Sequence, residues 1–156
     1  MSEKNLIFGV MDCNNFFVSC ERVFNPALEG KAVVVLSNND GCSVSRSKEA
    51  KDLGIKMGTT AFNVQREFID KGHPVEMCSS NYVLYGDMSR RVMSVLQSVV
   101  PDIEIYSIDE AFIDFSGMSK EQIDEKSKEI VCKVRKYTGI PVCVGVGHTM
   151  TLAKAA

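Results

Sequence analysis

The stretch Glu104 to Phe115, EIYSIDEAFIDF, constrains the fold of this chain more than any other. Ile103, Ile105, Tyr106, Ile108, Ala111, Phe112, Ile113 and Phe115 have the β-branched and aromatic character of buried strand, yet Asp109 and Glu110 interrupt them side by side. Adjacent carboxylates repel, and burying either costs several kcal/mol unless a cation or a donor compensates. Neighbouring residues on a straight strand face opposite ways, so two acids aimed at one point need a turn. The stretch therefore predicts two strands, with Asp109-Glu110 near the hairpin between them.

The elements around it follow from periodicity. Leu6 to Met11 is a short apolar run ending at Asp12, which suits a buried strand. Asn14 or Asn15 is placed to cap a helix carrying Phe16, Phe17, Cys20, Val23 and Phe24 at helical spacing, stopped by Asn25-Pro26. KAVVVLS reads as a strand and NNDGCS as a turn. A polar helix is expected from Ser45 through Leu53 with Gly54 as its C-cap, then a second short helix from Ala61 to Ile69 and an edge or crossover strand from Pro74 to Cys78. Apolar residues 83, 84, 88, 92, 95, 96 and 99 predict a helix of about five turns, capped by Asn81 and stopped by Pro101. Ser119-Lys120-Glu121-Gln122 is a capping box for a helix with Ile123, Ile130, Val131 and Val134 inward. Gly139 and Pro141 end that helix, and VCVGVG is the last strand. Without residues 17 to 80 the order is β-α-β-β-α-β, the ferredoxin-like arrangement, so the fold class is α+β with a small α/β insertion after the first strand.

A chain of 156 residues, 45% hydrophobic and 24% charged, is able to bury a core. Its net charge of −2 lacks the basic excess of a self-sufficient nucleic-acid binder. The cysteines at 13, 20, 42, 78, 132 and 143 form no C-x-x-C pair, which argues against structural zinc and for a reducing compartment with mostly buried thiols. The apolar run in MSEKNLIFGVMDC is too short for a signal sequence, and nowhere do 18 apolar residues follow one another. A cytoplasmic protein without a membrane partner is expected.

In the ferredoxin-like order the first strand lies beside the hairpin, so Asp12 approaches Asp109 and Glu110. From the residues alone two readings stand. One is an exposed acidic hairpin with a capping aspartate. The other is a cradle for two divalent cations about 4 Å apart, with magnesium the natural occupant of carboxylate oxygens.

Five blocks carry a resemblance: MDCNNFFVSCE, VVVLSNNDGCSVSRSKEAKDLGIKMG, SSNYVLYGDMSRRVMSVL, IEIYSIDEAF and VGVGHTMTLAK. In this order, over nearly the whole chain, they resemble the Y-family translesion DNA polymerases, within them the UmuC-like catalytic subunits of bacterial polymerase V. The resemblance implies a catalytic palm over residues 1 to 16 and 81 to 156, fingers over 17 to 80, and no thumb or little finger. It implies that Asp12, Asp109 and Glu110 hold two Mg²⁺ ions, for which Mn²⁺ could substitute, with the Cys13 backbone carbonyl as a further ligand. It places Phe17 as an aromatic steric gate against the deoxyribose, with Ser45, Lys48 and Lys51 at the triphosphate; Arg46 is close enough to be an alternative phosphate contact, and Phe16, beside the gate, packs toward the core next to the nucleotide. Lys48 and Lys51 depart from the family's tyrosine and arginine, and a lysine lacks the bidentate fork. The implied reaction joins a dNTP to a primer 3′-hydroxyl on template DNA in damage repair, with this stretch expected to be inactive alone. The implied protein partners are an accessory subunit, a processivity clamp and RecA. A non-catalytic repair module and another two-metal palm enzyme, such as a nucleotidyl cyclase, are the rivals.

Overall fold

A computed structural model describes residues 6–155, apart from the side chain of Met150. Residues 1–5 and 156 of the expected palm lie outside the described residues. The chain divides into two compact units, residues 1–14 with 86–156 and residues 15–85.

The first unit is built on a four-stranded antiparallel sheet of order β5-β6-β1-β7. Its strands are β1 (Phe8–Cys13), β5 (Ile103–Ile105), β6 (Glu110–Asp114) and β7 (Val142–Gly147). Helix α4 (Tyr82–Val99), whose first turn belongs to the second unit, runs between β1 and β5 in chain order, and α5 (Lys120–Thr138) joins β6 to β7. This is the ferredoxin-like order read from the sequence, with β1 central. On β6 the residues alternate, Ala111 and Ile113 buried and Glu110, Phe112 and Asp114 more open. Register sets Met11 opposite Ala111 and Asp12 opposite Glu110. Opposed residues share a sheet face, so Met11 turns inward with Ala111 while Asp12 turns outward with Glu110.

Local chemistry accounts for the helix ends. Asn81 Oδ1 accepts the Leu84 N–H at 3.1 Å, and Ser119 with Gln122 forms the complete capping box of α5. Gly139 at φ 77° supplies the left-handed C-cap. The inward phase of α4 differs from expectation in its first turn. Val83 is 85% exposed while Tyr85 is fully buried. Burial of a tyrosine is tolerated where its hydroxyl finds an acceptor, as it does here.

The last helix, α6 (Met150–Ala155), lies against β7 and β1. A Cβ at Gly147 would sit 2.6 Å from the Ala153 backbone nitrogen, so α6 packs closely on β7 at this glycine. Because backbone gives way less easily than a side-chain tip, Gly147→Ala is expected to destabilise by about 2 kcal/mol. A thermal melt lowered by several degrees is the check.

The second unit centres on β3-β2-β4: β2 (Val33–Leu36), β3 (Ser43–Arg46) and β4 (Glu76–Ser79), with β4 the parallel edge strand. Its core gathers Ala32, Val34, Ala50, Ile55, Val64 and Val75. Helix α1 (Phe16–Phe24) begins after Asn15, which adopts the left-handed region at φ 44° and makes no side-chain cap, unlike the expectation. The expected helix from Ser45 is also corrected. Residues 43–46 pair antiparallel with β2, and α2 (Lys48–Asp52) starts later, capped by Ser47. Ser47 Oγ accepts N–H groups from Val33 at 2.9 Å and Ala50 at 3.1 Å, so one hydroxyl anchors both strand and helix. The expected helix over Ala61–Ile69 is α3 (Ala61–Val64) running into a π turn, Gln65–Ile69.

Among the described residues Cys20, Cys42, Cys78, Cys132 and Cys143 carry free thiols. Only Cys13 and Cys20 are buried, whereas Cys132 and Cys143 are exposed, which corrects the expectation of mostly buried thiols. Burial, with Glu21 beside it, pushes the Cys20 thiol up to about 12. Among the described residues no helix is long and apolar enough to cross a membrane.

Candidate active site

Two strand ends meet at the acidic edge of the first unit. Asp12 is exposed at the penultimate position of β1 and stands opposite Glu110, the first residue of β6. Asp109, in the turn just before β6, is fixed through its backbone, its carbonyl accepting the Cys13 N–H at 2.9 Å. The hairpin thus brings all three acids to the same edge. The Cys13 thiol is buried, as befits a small apolar group.

Ser107 supports the pair. Its hydroxyl donates to Asp109 Oδ1 at 2.9 Å and reaches Glu110 Oε2 at 3.5 Å. A serine two residues before an aspartate in a turn was the available signal for this contact. Lys154 is the second addition. Its ammonium lies 3.5 Å from Glu110 Oε2 and 5.1 Å from the Tyr106 ring centre. Nothing local to Lys154 in the sequence reveals that α6 returns to β1. A cleft of about 170 Å³ has Asp12, Glu110, Cys143 and Lys154 in its wall.

The donor set suits a hard divalent cation, since carboxylate oxygens outnumber the one thiol in the cleft wall, that of Cys143. The ammonium beside Glu110 shows that this carboxylate already attracts a cation. Among the described residues no three His, Cys, Asp or Glu groups gather closely enough to share an ion.

The remaining expected site residues lie in the second unit. Phe17 is half-buried and stacks on Tyr85, with centroids 4.4 Å apart and planes 13° apart, while Tyr82 meets both rings edge-on at 6.1 Å. Phe16 and Ser45 are buried. Arg46 donates to the Ile55 carbonyl at 2.7 Å and is thereby tied to the turn after α2. Lys48 is exposed, and the exposed Lys51 donates to Asn15 Oδ1 at 2.7 Å. Lys48 and Lys51 are thus open to solvent, whereas Phe16, Ser45 and Arg46 are built into the unit.

The chain matches a family model described as the impB/mucB/samB family over residues 11–156. It is 49% identical over 151 residues to the protein UmuC of Salmonella typhimurium (strain LT2), covering 96% of this chain and 35% of that protein. It is 47% identical over 154 residues to the protein ImpB of Salmonella typhimurium, with the same coverage of 96% and 35%. The chain therefore spans about a third of the length of these relatives. Among solved structures it resembles DinB from Sulfolobus solfataricus at a TM-score of 0.84 and 28% identity, covering 95% of this chain and 44% of that one. An insertion ternary complex of Dbh DNA polymerase matches at a TM-score of 0.84 and 29% identity, again covering 95% and 44%. With the ferredoxin-like sheet and the acidic hairpin in place, the chain belongs to the impB/mucB/samB family and shares its fold with the Y-family DNA polymerases.

Proposed function

We propose that this chain forms the palm and fingers of a template-directed DNA polymerase of the translesion type, acting on primer-template DNA and a dNTP. The observation that carries the reading is the opposition of Asp12 and Glu110 across β1 and β6, with the Asp109 backbone bonded to Cys13 at the same edge. In this reading Asp12, Asp109, Glu110 and the Cys13 carbonyl hold divalent cations, magnesium by preference. Such ions supply activation of the primer hydroxyl and neutralisation of the triphosphate charge when bound.

The chain's own residues account for the rest. Ser107 restrains the Asp109 carboxylate from the turn, limiting the rotamers available to it. Glu110, now paired with the Lys154 ammonium at 3.5 Å, would hold the ion through the same carboxylate, needing only a local side-chain rearrangement. Phe17 presents a ring that leaves no room for a ribose 2′-hydroxyl, and Lys48 and Lys51 offer cations to the triphosphate. Phe16, Ser45 and Arg46 shape the nucleotide side of the fingers from within. The palm is expected over residues 1–16 and 81–156 and the fingers over 17–80. With a net charge of −2, this chain offers little basic excess for gripping duplex phosphates. The accessory subunit, clamp and RecA implied by the resemblance belong to the same proposal.

Anomalous diffraction from crystals soaked in Mn²⁺ with a dNTP tests the reading. One or two peaks between Asp12, Asp109 and Glu110, absent in Asp109→Ala, are expected. Carboxylates pointing apart with no peak, in the presence of nucleotide and primer-template, would count decisively against it.

A further inference from the structure

Phe17 and Glu21 are four residues apart on α1, so their side chains occupy one face a turn apart. Tyr85 links them. Its ring lies nearly parallel to that of Phe17 at 4.4 Å, and its hydroxyl donates to Glu21 Oε1 at 2.7 Å. The tyrosine is fully buried, and burial followed by the Glu21 bond raises its hydroxyl well above the ordinary phenol range, keeping it a donor. A stack alone leaves a ring free to slide, because offset arrangements are close in energy. A hydrogen bond to a carboxylate is short and directional, so it removes that freedom. Tyr85 is thus held at both its face and its hydroxyl, and the surface it offers Phe17 has a defined position.

We propose that Glu21, by anchoring the Tyr85 hydroxyl, positions the Phe17 ring and so sets how strictly a ribonucleotide is refused. The inference rests on the reading of Phe17 as a sugar gate. Glu21 is a positioning residue, acting on the nucleotide through two other side chains.

The test compares incorporation of a ribonucleotide with that of the matching deoxynucleotide in a full-length context, for Phe17→Ala, Tyr85→Phe, Glu21→Ala and Glu21→Gln. Selectivity is a ratio of two kcat/KM values from one preparation, so a loss of folded protein cancels. Tyr85→Phe keeps the stacked ring and loses only the hydroxyl. It and Glu21→Ala are each expected to raise relative ribonucleotide incorporation about tenfold, the scale of one hydrogen bond to a charged group. The double variant should go no further than either single one, since both remove the same bond. Glu21→Gln still offers an acceptor oxygen and should retain most of the discrimination. Unchanged selectivity in Tyr85→Phe and Glu21→Ala, beside a relaxed Phe17→Ala, would overturn the inference while leaving the gate intact. Unchanged selectivity in Phe17→Ala would overturn the gate reading itself.

Discussion

Asp109→Ala is expected to lower primer extension about a thousandfold or more in a full-length context, and to abolish Mn²⁺ binding at the hairpin. Cation stabilisation of a developing charge is worth several kcal/mol, and each 1.4 kcal/mol is about a factor of ten in rate. The loss should be functional and not a failure to fold. The residue's contribution to the hairpin is its carbonyl, which accepts the Cys13 N–H and survives the substitution. Its side chain is half-buried in the turn and accepts a hydrogen bond from the Ser107 hydroxyl. An unchanged melting temperature with lost Mn²⁺ paramagnetic relaxation is the expected pair of results. Full extension by Asp109→Ala would remove the two-cation reading, whatever the fold.

Phe17→Ala is expected to raise ribonucleotide relative to deoxyribonucleotide incorporation on the order of a hundredfold, the scale of a discrimination set by shape in a pocket. The ring is held between α1 and Tyr85 and is neither fully buried nor fully exposed. Its neighbour Phe16 is 4% exposed and belongs to the core. Phe16→Ala should therefore act mainly on stability, lowering it by about 3 to 5 kcal/mol, with a smaller change in sugar ratio than Phe17→Ala. The contrast between two adjacent phenylalanines is measured by running both sugar assays and both melts on the same pair of variants.

Much of this molecule was legible from spacing. The capping box at Ser119, the glycine at 139, the Asn81 cap and the apolar runs of β1, β2 and β7 all act within a turn or a strand, and each appears where local chemistry requires it. The acidic hairpin was legible for the same reason, since two adjacent acids between apolar runs demand a turn. β3 was not legible. Ser43 reads as turn and Ser45-Arg46 as the start of a polar helix, but β2 offers its open edge to these backbone groups, and pairing with it outweighs a weak helical preference. Tyr85 was hidden in the same way, because its burial depends on an acceptor on α1, remote in sequence.

Periodicity, caps and the Asp109-Glu110 turn were thus decided by the sequence itself, because they depend on neighbours along the chain. The approach of Asp12 to the hairpin follows from the element order, but the register that sets it opposite Glu110, the ammonium of Lys154 beside that glutamate and the Tyr85 bond to Glu21 were decided only by tertiary structure. Each joins segments far apart in sequence, and register, sheet order and the path of α6 bring them within a few ångströms. The distances at which carboxylates repel, pair or bind a cation are set by that packing.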